Sequence, residues 1–210
     1  MPNAQLPRPV LMLVTDRHIA GGEDPLVLKV ADAVAGGVNV VQLREKDLPH
    51  DAVVTLAMRL REAIAGRALL IVNRPAESAL ESGGDGVHLP EDAEPPHEWP
   101  AGLLIGRSVH SLAAARRAES DGADYVIFGP VFETESHAGA APAGPGELRE
   151  VAAAVRIPVI AIGGVTAERV PEVLAAGAAG VAVIRAILAS DDAKAAAGTL
   201  RAAMSARAPA

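Results

Sequence analysis

The sequence contains no cysteine, which excludes a disulfide framework and any metal site built on thiolates. Aromatic residues are nearly as scarce: Trp99, Tyr125, Phe128 and Phe132 are all there are. Yet half of the chain is hydrophobic, so its core has to be assembled from Ala, Val, Leu and Ile, as in layered α/β architectures. Positive charge is not in excess either. A net charge of −7 argues against nucleic acid or an anionic membrane surface as the main partner. No uninterrupted apolar run approaches the ~18 residues of a membrane span. Met1 to Pro9 lacks the basic-plus-apolar pattern of a secretion signal, and a cytoplasmic enzyme is the expectation. If its ligand is anionic, so acidic a chain must gather cations and backbone N–H groups at one place.

What the sequence does have is alternation. Short β-branched runs fall at Leu11–Thr15, Val38–Leu43, Leu69–Asn73, Gly86–Leu89, Leu103–Ser108, Tyr125–Gly129, Pro158–Gly163 and Gly180–Ile184. Between them, Val53, Leu56, Ala57, Leu60 and Ile64 recur at helical spacing, as do Val170, Val173, Leu174 and Gly177. The runs are apolar on both faces, which suits parallel strands covered by helices. A degenerate repeat supports this. Four times a helix-like stretch ends in glycine and feeds directly into a strand, at Gly36-Gly37, Gly83-Gly84, Gly122 and Gly177. Eight strands alternating with helices over 210 residues predict a single α/β domain over 1–210, a (β/α)8 TIM barrel, with strand one starting near 11 and a frayed tail after about 205. An open doubly wound sheet is the alternative. It would carry a glycine-rich fingerprint after its first strand, where this chain has Asp16-Arg17-His18.

Two segments break the rhythm. Pro90 to Pro100, with four prolines and four acidic residues, leaves room for only a stub of helix after strand four. Glu133 to Gly146 is rich in Gly, Ala and Pro without a period, so it reads as a long loop on the catalytic face of the barrel.

Polar residues at the C-terminal ends of barrel strands face the ligand. Gly163-Gly164 ends strand seven just before a helix start at Thr166. Without Cβ atoms the backbone can approach phosphate oxygens, and a helix N-terminus adds N–H groups. The backbone of Ile184-Arg185, after strand eight, is the expected partner. A plain tight turn would need no ligand, but the position on the seventh of eight strands favours phosphate. Gln42, Arg44 and Lys46 alternate along one strand and share a face, three donors suited to a pyrophosphate-bearing ligand. Asn73 ends strand three and Asp92 follows strand four, a pair able to hold Mg²⁺ bridged to phosphate oxygens; Asp92 with Glu91 and Glu94 otherwise solvates a loop. Ser108, Thr134 and Ser136 complete the strand-end polar set. His88 alternates into the barrel and reads as a core or supporting histidine. His110 is placed to cap or orient the helix after strand five, and His137 in the long loop is a candidate acid–base group. Arg59, Arg61, Arg116 and Arg117 lie on helices and read as solvated faces.

At this point the motifs resemble a known family. V-V-Q-L-R-E-K-D at 40–47, I-V-N at 71–73, G-V-H-L-P-E-D at 86–92 and G-R-S-V-H-S at 106–111 appear in order. So do D-G-A-D-Y-V-I-F-G-P-V-F-E-T at 121–134, I-P-V-I-A-I-G-G-V-T at 157–166 and A-G-A-A-G-V-A-V-I at 176–184. From about residue 10 to 190 the chain resembles the thiamin phosphate synthase/thiazole tautomerase superfamily. The resemblance implies a barrel, a thiazole phosphate pocket, cytoplasmic thiamin biosynthesis and a homodimer.

The synthase branch joins hydroxymethylpyrimidine pyrophosphate to hydroxyethylthiazole phosphate with Mg²⁺. The tautomerase branch moves a proton on a thiazole phosphate carboxylate without metal. Gln42, Arg44, Lys46, Asn73, Asp92, Ser108, Thr134, Gly164 and Ile184 fall where the synthase binds substrate or metal. Three positions depart from it. Arg74 stands where a metal-ligand Asp is expected, Ser136-His137 replaces the end of a Thr-x-Thr-Lys motif, and Arg185 replaces a phosphate-binding Ser. Against the tautomerase, Pro130 stands at the position of its acid–base His. The residues therefore imply the synthase reaction, with the tautomerase or a non-catalytic precursor-binding paralogue as alternatives.

Overall fold

A computed structural model of the chain describes residues 5–73, 76–95, 99, 101–135 and 141–205. The expected strands form: β1 Val10–Val14, β2 Val40–Leu43, β3 Leu69–Val72, β4 Gly86–Leu89, β5 Leu104–Val109, β6 Tyr125–Phe128, β7 Val159–Ile162 and β8 Gly180–Val183. Each pairs in parallel with the next, and β8 pairs with β1, closing a barrel in chain order. The helices between and after them are α1 Arg17–Ala20, α2 Glu23–Ala35, α3 His50–Ile64, α4 Ala76–Ser82, α5 Leu112–Ser120, α6 Gly144–Ala154, α7 Val170–Ala175, α8 Arg185–Leu188 and α9 Ala193–Ser205. No described helix is long and apolar enough to cross a membrane. The described residues after β4 form a turn rather than a helix. The long loop is shorter than its composition suggested, because α6 begins at Gly144 with Pro145 in its first turn, where a missing N–H is tolerated. The expected tail after 205 lies outside the described residues.

Strand alternation divides the apolar residues into two cores. Val10, Met12, Val14, Val40, Ile71, Tyr125, Ile127 and Ile160 pack together inside the barrel. Their neighbours in sequence, among them Leu11, Leu13, Val41, Leu43, Leu70 and Val72, pack against the helices. On α3 the five predicted positions Val53, Leu56, Ala57, Leu60 and Ile64 are the buried ones; each larger apolar side chain so covered contributes about 1.5–3 kcal/mol.

The N-terminal rim needs hydrogen-bond acceptors where strands begin. Asn39, Asp85 and Asp124, each just ahead of an even-numbered strand, accept the N–H of Leu11, Leu70 and Ile105 at 2.9, 2.8 and 2.8 Å. Asp85 also takes a two-pronged contact from Arg61 at 2.7 and 3.0 Å. Arg61 is therefore not a solvated helix residue, as its sequence position implied, but a clamp on the bottom of β4.

The one tyrosine fills the barrel interior opposite Gly106 in the β5–β6 register. A Cβ at Gly106 would overlap the Tyr125 ring and approach His88 Nδ1 to 2.5 Å. Gly106→Ala is expected to cost about 1–3 kcal/mol through overpacking, read as a lower urea midpoint at constant m-value. Gly146→Ala, in α6 with open space around its Cβ, should instead be neutral or stabilising by up to about 1 kcal/mol.

Candidate functional site

Two adjoining cavities open at the C-terminal ends of the strands, of about 470 and 400 Å³, sharing Arg44, Ser108 and His110 as a common wall. The larger lies over β6–β8 and is lined mainly by apolar residues with Gly163, Gly164, Thr134 and the Ile184–Arg185 turn. The smaller lies over β2–β5, where Lys46, Asn73, Glu91 and Asp92 join the shared residues. Inward alternation explains the assembly: Gln42 and Arg44 continue β2's interior parity, Asn73 that of β3, Ser108 that of β5 and Gly164 that of β7.

The end of β7 is shaped for close approach. Gly163 and Gly164 take φ of +96° and +61°, and a Cβ on Gly163 would lie 2.6 Å from that of Pro130. A Cβ on Gly164 would collide with the Glu133 carbonyl. The loop after β6 runs alongside, Val131 N–H donating to Ile162 O at 2.9 Å and Phe132 N–H to Gly163 O at 3.1 Å. Arg169 donates to Gly164 O at 2.7 Å and lies 4.5 Å over the Phe132 ring, pinning turn and loop together. Among the described residues the N–H groups of Gly164, Val165, Arg185 and Ala186 find no backbone acceptor. All four residues line the larger cavity. Such an array of backbone donors, reached without Cβ hindrance, suits a phosphate group.

The Arg185 side chain is not part of that array. It pairs with Glu135 at 3.2 Å, tying the loop after β6 to the turn after β8. Thr134 is half-buried on the same loop and faces the larger cavity. Arg74, Ser136 and His137 lie outside the described residues.

The floor is polar. Gln42 is buried, and its amide nitrogen has no partner among the described residues. His88 is buried inside the barrel as its alternation implied, and its Nε2 lies 2.9 Å from Ser108 Oγ. Burial, reinforced by the Arg44 and Arg107 charges, pushes the His88 pKa down to about 3, so this histidine is neutral and serves to orient Ser108 rather than to shuttle protons. Its Nδ1 and the Tyr125 hydroxyl are also buried without partners among the described residues. Asn73 gives its side-chain N–H to His88 O at 2.8 Å. A buried donor left open beneath a cavity calls for a ligand acceptor.

His110 does not cap α5. Ser111 does, its Oγ accepting from Ala114 N–H at 3.1 Å. His110 instead binds Glu91 through its backbone N–H at 2.7 Å and Nδ1 at 2.8 Å. Glu91 also faces Arg117 at 4.0 Å. Asp92, exposed beside it, shares a wall with Asn73. Among the described residues no three His, Cys, Asp or Glu side chains converge on a metal position. The donor set fits a cation held by one carboxylate and completed by substrate oxygens and water.

Sequence reasoning missed Arg17, Glu135 and Arg169, whose contacts frame the two cavities. Only Arg169 left a signal, a cation three residues beyond the presumed helix start at Thr166.

A family model described as thiamine monophosphate synthase matches residues 11–187. A thiamine-phosphate synthase of Methanoculleus marisnigri is 46% identical over 197 residues, covering 91% of this chain and 93% of the relative. A putative thiamine-phosphate synthase of Geobacter sulfurreducens is 46% identical over 189 residues, with 87% and 88% covered. Among solved structures, a thiamine phosphate pyrophosphorylase from Pyrococcus furiosus aligns with a TM-score of 0.81 at 34% identity, covering 93% of this chain and 95% of that one.

Two outcomes are expected of the site. Gly164→Ala should weaken binding of a phosphate monoester by about tenfold or more, because its backbone conformation and the clash with Glu133 both disfavour a side chain; isothermal titration calorimetry measures it. His88 has a folded pKa below its unfolded value of 6.5, so its stabilisation is present above pH 6.5 and is lost as pH falls toward 3. Relative to His88→Gln, the parent's unfolding free energy should drop more steeply on acidification, by up to about 1.4 kcal/mol per pH unit.

Proposed function

The chain belongs to the thiamine monophosphate synthase family, and on that premise we propose that it transfers the hydroxymethylpyrimidine group from its pyrophosphate to hydroxyethylthiazole phosphate, releasing pyrophosphate. One observation carries the reading. Two cavities of small-molecule size share a wall, one lined by unpaired backbone donors and the other by Arg44, Lys46 and Asp92. That is what a reaction between two anionic precursors needs.

In this reading the Gly163-Gly164 turn and the Ile184–Arg185 backbone hold the thiazole phosphate, with Thr134 facing it from the loop after β6. Arg44 and Lys46 hold the pyrophosphate, with Asp92 and Asn73 as the residues that would hold Mg²⁺. When bound, the cation would neutralise the leaving group's charge. Gln42 and Ser108 locate the pyrimidine: the unpaired Gln42 amide offers a donor, and neutral His88 fixes the Ser108 hydroxyl. The C–O bond to pyrophosphate breaks with its electrons leaving on oxygen. The pyrimidinylmethyl carbon tolerates the resulting cationic character, and the thiazole nitrogen supplies the pair for the new C–N bond. No protein nucleophile is needed, and His137 is not required as a base. Arg74, where a second carboxylate is expected, leaves Asp92 as the single carboxylate toward the metal. Arg44 and Lys46 then take a larger share of the leaving group's charge.

The test is Mg²⁺-dependent release of pyrophosphate from the two precursors. The parent chain should form thiamin phosphate, and Lys46→Ala and Asp92→Ala should each lower kcat/KM by about a hundredfold or more, the scale for removing one charge-stabilising contact. Precursor binding without pyrophosphate release would contradict the proposal, as would metal-independent proton exchange on the thiazole carboxylate as the sole activity.

A further inference from the structure

The two glycines that follow β7 pose a problem of direction. In a trans peptide the C=O of one residue and the N–H of the next point to opposite sides, so turning the plane over exchanges a donor for an acceptor. Gly163 and Gly164, at φ of +96° and +61°, have no Cβ to resist such a turn. A cradle that rotated this way would meet its anion with carbonyl oxygens. The planes have to be held from outside.

They are held by their carbonyls, one through backbone and one through a side chain. Phe132 N–H donates to Gly163 O at 3.1 Å, which leaves the Gly164 N–H directed away from the loop after β6. Arg169 Nη1 donates to Gly164 O at 2.7 Å, which leaves the Val165 N–H directed away from the guanidinium. Neither N–H has a backbone acceptor among the described residues, and both residues line the larger cavity. Arg169 is itself secured twice. Its backbone N–H donates to Thr166 O at 3.1 Å in the turn before α7. Its guanidinium carbon lies 4.5 Å over the Phe132 ring, a cation–π contact. Phe132 thus carries both the N–H that holds the first plane and the ring that seats the side chain holding the second.

We infer that Arg169 is a positioning residue for the phosphate cradle: by holding the Gly164 carbonyl it fixes the Gly164–Val165 peptide so that the Val165 N–H is presented to the anion. The inference rests on the phosphate reading of the larger cavity. It differs from a direct attraction between the guanidinium and the anion. An attraction is screened by salt and acts on the whole anion, whereas a held peptide plane acts through one amide and does not depend on ionic strength.

Calorimetry and amide NMR on the full chain test this with hydroxyethylthiazole phosphate, and with unphosphorylated hydroxyethylthiazole as the control. Arg169→Ala is expected to raise Kd for the phosphate ester by about tenfold, the scale of one charge-assisted donor. Kd for the alcohol should stay within about twofold, since its contacts lie apart from the held peptide. The loss should be the same at about 0.1 and about 1 M salt, whereas a direct charge effect would shrink. At saturation the parent should show downfield shifts of the Gly164 and Val165 amide signals. Arg169→Ala should keep the first shift and lose the second, and Arg169→Lys, which retains a donor, should restore it. A merely structural role would move both amides together. Arg169 is exposed, so its replacement leaves the core intact, and retained affinity for the alcohol reports a folded variant. Arg169→Ala that binds the ester as well as the parent does, loses affinity only at low salt, or loses both amide shifts, overturns this inference alone. Parent protein that binds the ester no more tightly than the alcohol overturns the inference together with the phosphate reading beneath it.

Discussion

In a closed parallel barrel each strand's inward face is fixed by its neighbours, because slipping by one residue would send every side chain to the wrong side. The rest of this molecule follows from that constraint. Below the mouth the inward set is apolar and includes glycine where space is short: Gly86, Gly106 and Gly180 leave room for Ile71, Tyr125 and Val10. One step higher the same parity delivers Gln42, His88 and Ser108, and one step higher again Arg44, Asn73 and Gly164. The functional surface is thus the top layer of the core, and its geometry is set by closure rather than by any local motif.

A chain of net charge −7 that offers a site to anions has to separate its charges by face. The outward acids at the top of β2 are bound by Arg17, and Glu91 after β4 is bound by His110 and Arg117. Arg44 and Lys46, with the backbone N–H groups over β7 and β8, then set the positive potential of the cavities, and Asp92 is the acid on their walls that no described cation pairs. Backbone donors are the better device over β7 and β8, since they bring positive potential without a side chain that could fold back onto an acid. Arg185 illustrates the point. Its guanidinium does fold onto an acid, Glu135, while its backbone still lines the cradle.

Much of this was legible in the sequence. The eight strands, the glycine pair after strand seven and the shared face of Gln42, Arg44 and Lys46 all depend on local period and composition, which a strand records residue by residue. The pairs that hold the site could not be read the same way. Arg17 meets Glu45 and Asp47 across 28 and 30 residues, Arg61 meets Asp85 across 24 and His110 meets Glu91 across 19. Each is a contact between adjacent βα units that barrel closure creates, and a helical arginine looks the same in sequence whether it faces water or a neighbouring rim. His88 was legible in position but not in role. Its parity places it inside, whereas its neutrality follows from burial, reinforced by the charges of Arg44 and Arg107.

The partnerless atoms at the cavity floor set the remaining energetic problem. A buried donor or acceptor without a bond costs about 1–3 kcal/mol, and Gln42, His88 and Tyr125 each contribute such an atom among the described residues. A core that served stability alone would replace them with apolar groups. The fold bears this cost because its outer core, between strands and helices, is one continuous apolar cluster, so the interior layer can be tuned for a ligand. Binding of an acceptor over Gln42 recovers part of that cost, and affinity gained this way discriminates well, since a ligand lacking the acceptor leaves the donor buried and unpaired. Selectivity for the heterocycle then comes from the floor, and affinity for its anionic group from the rim.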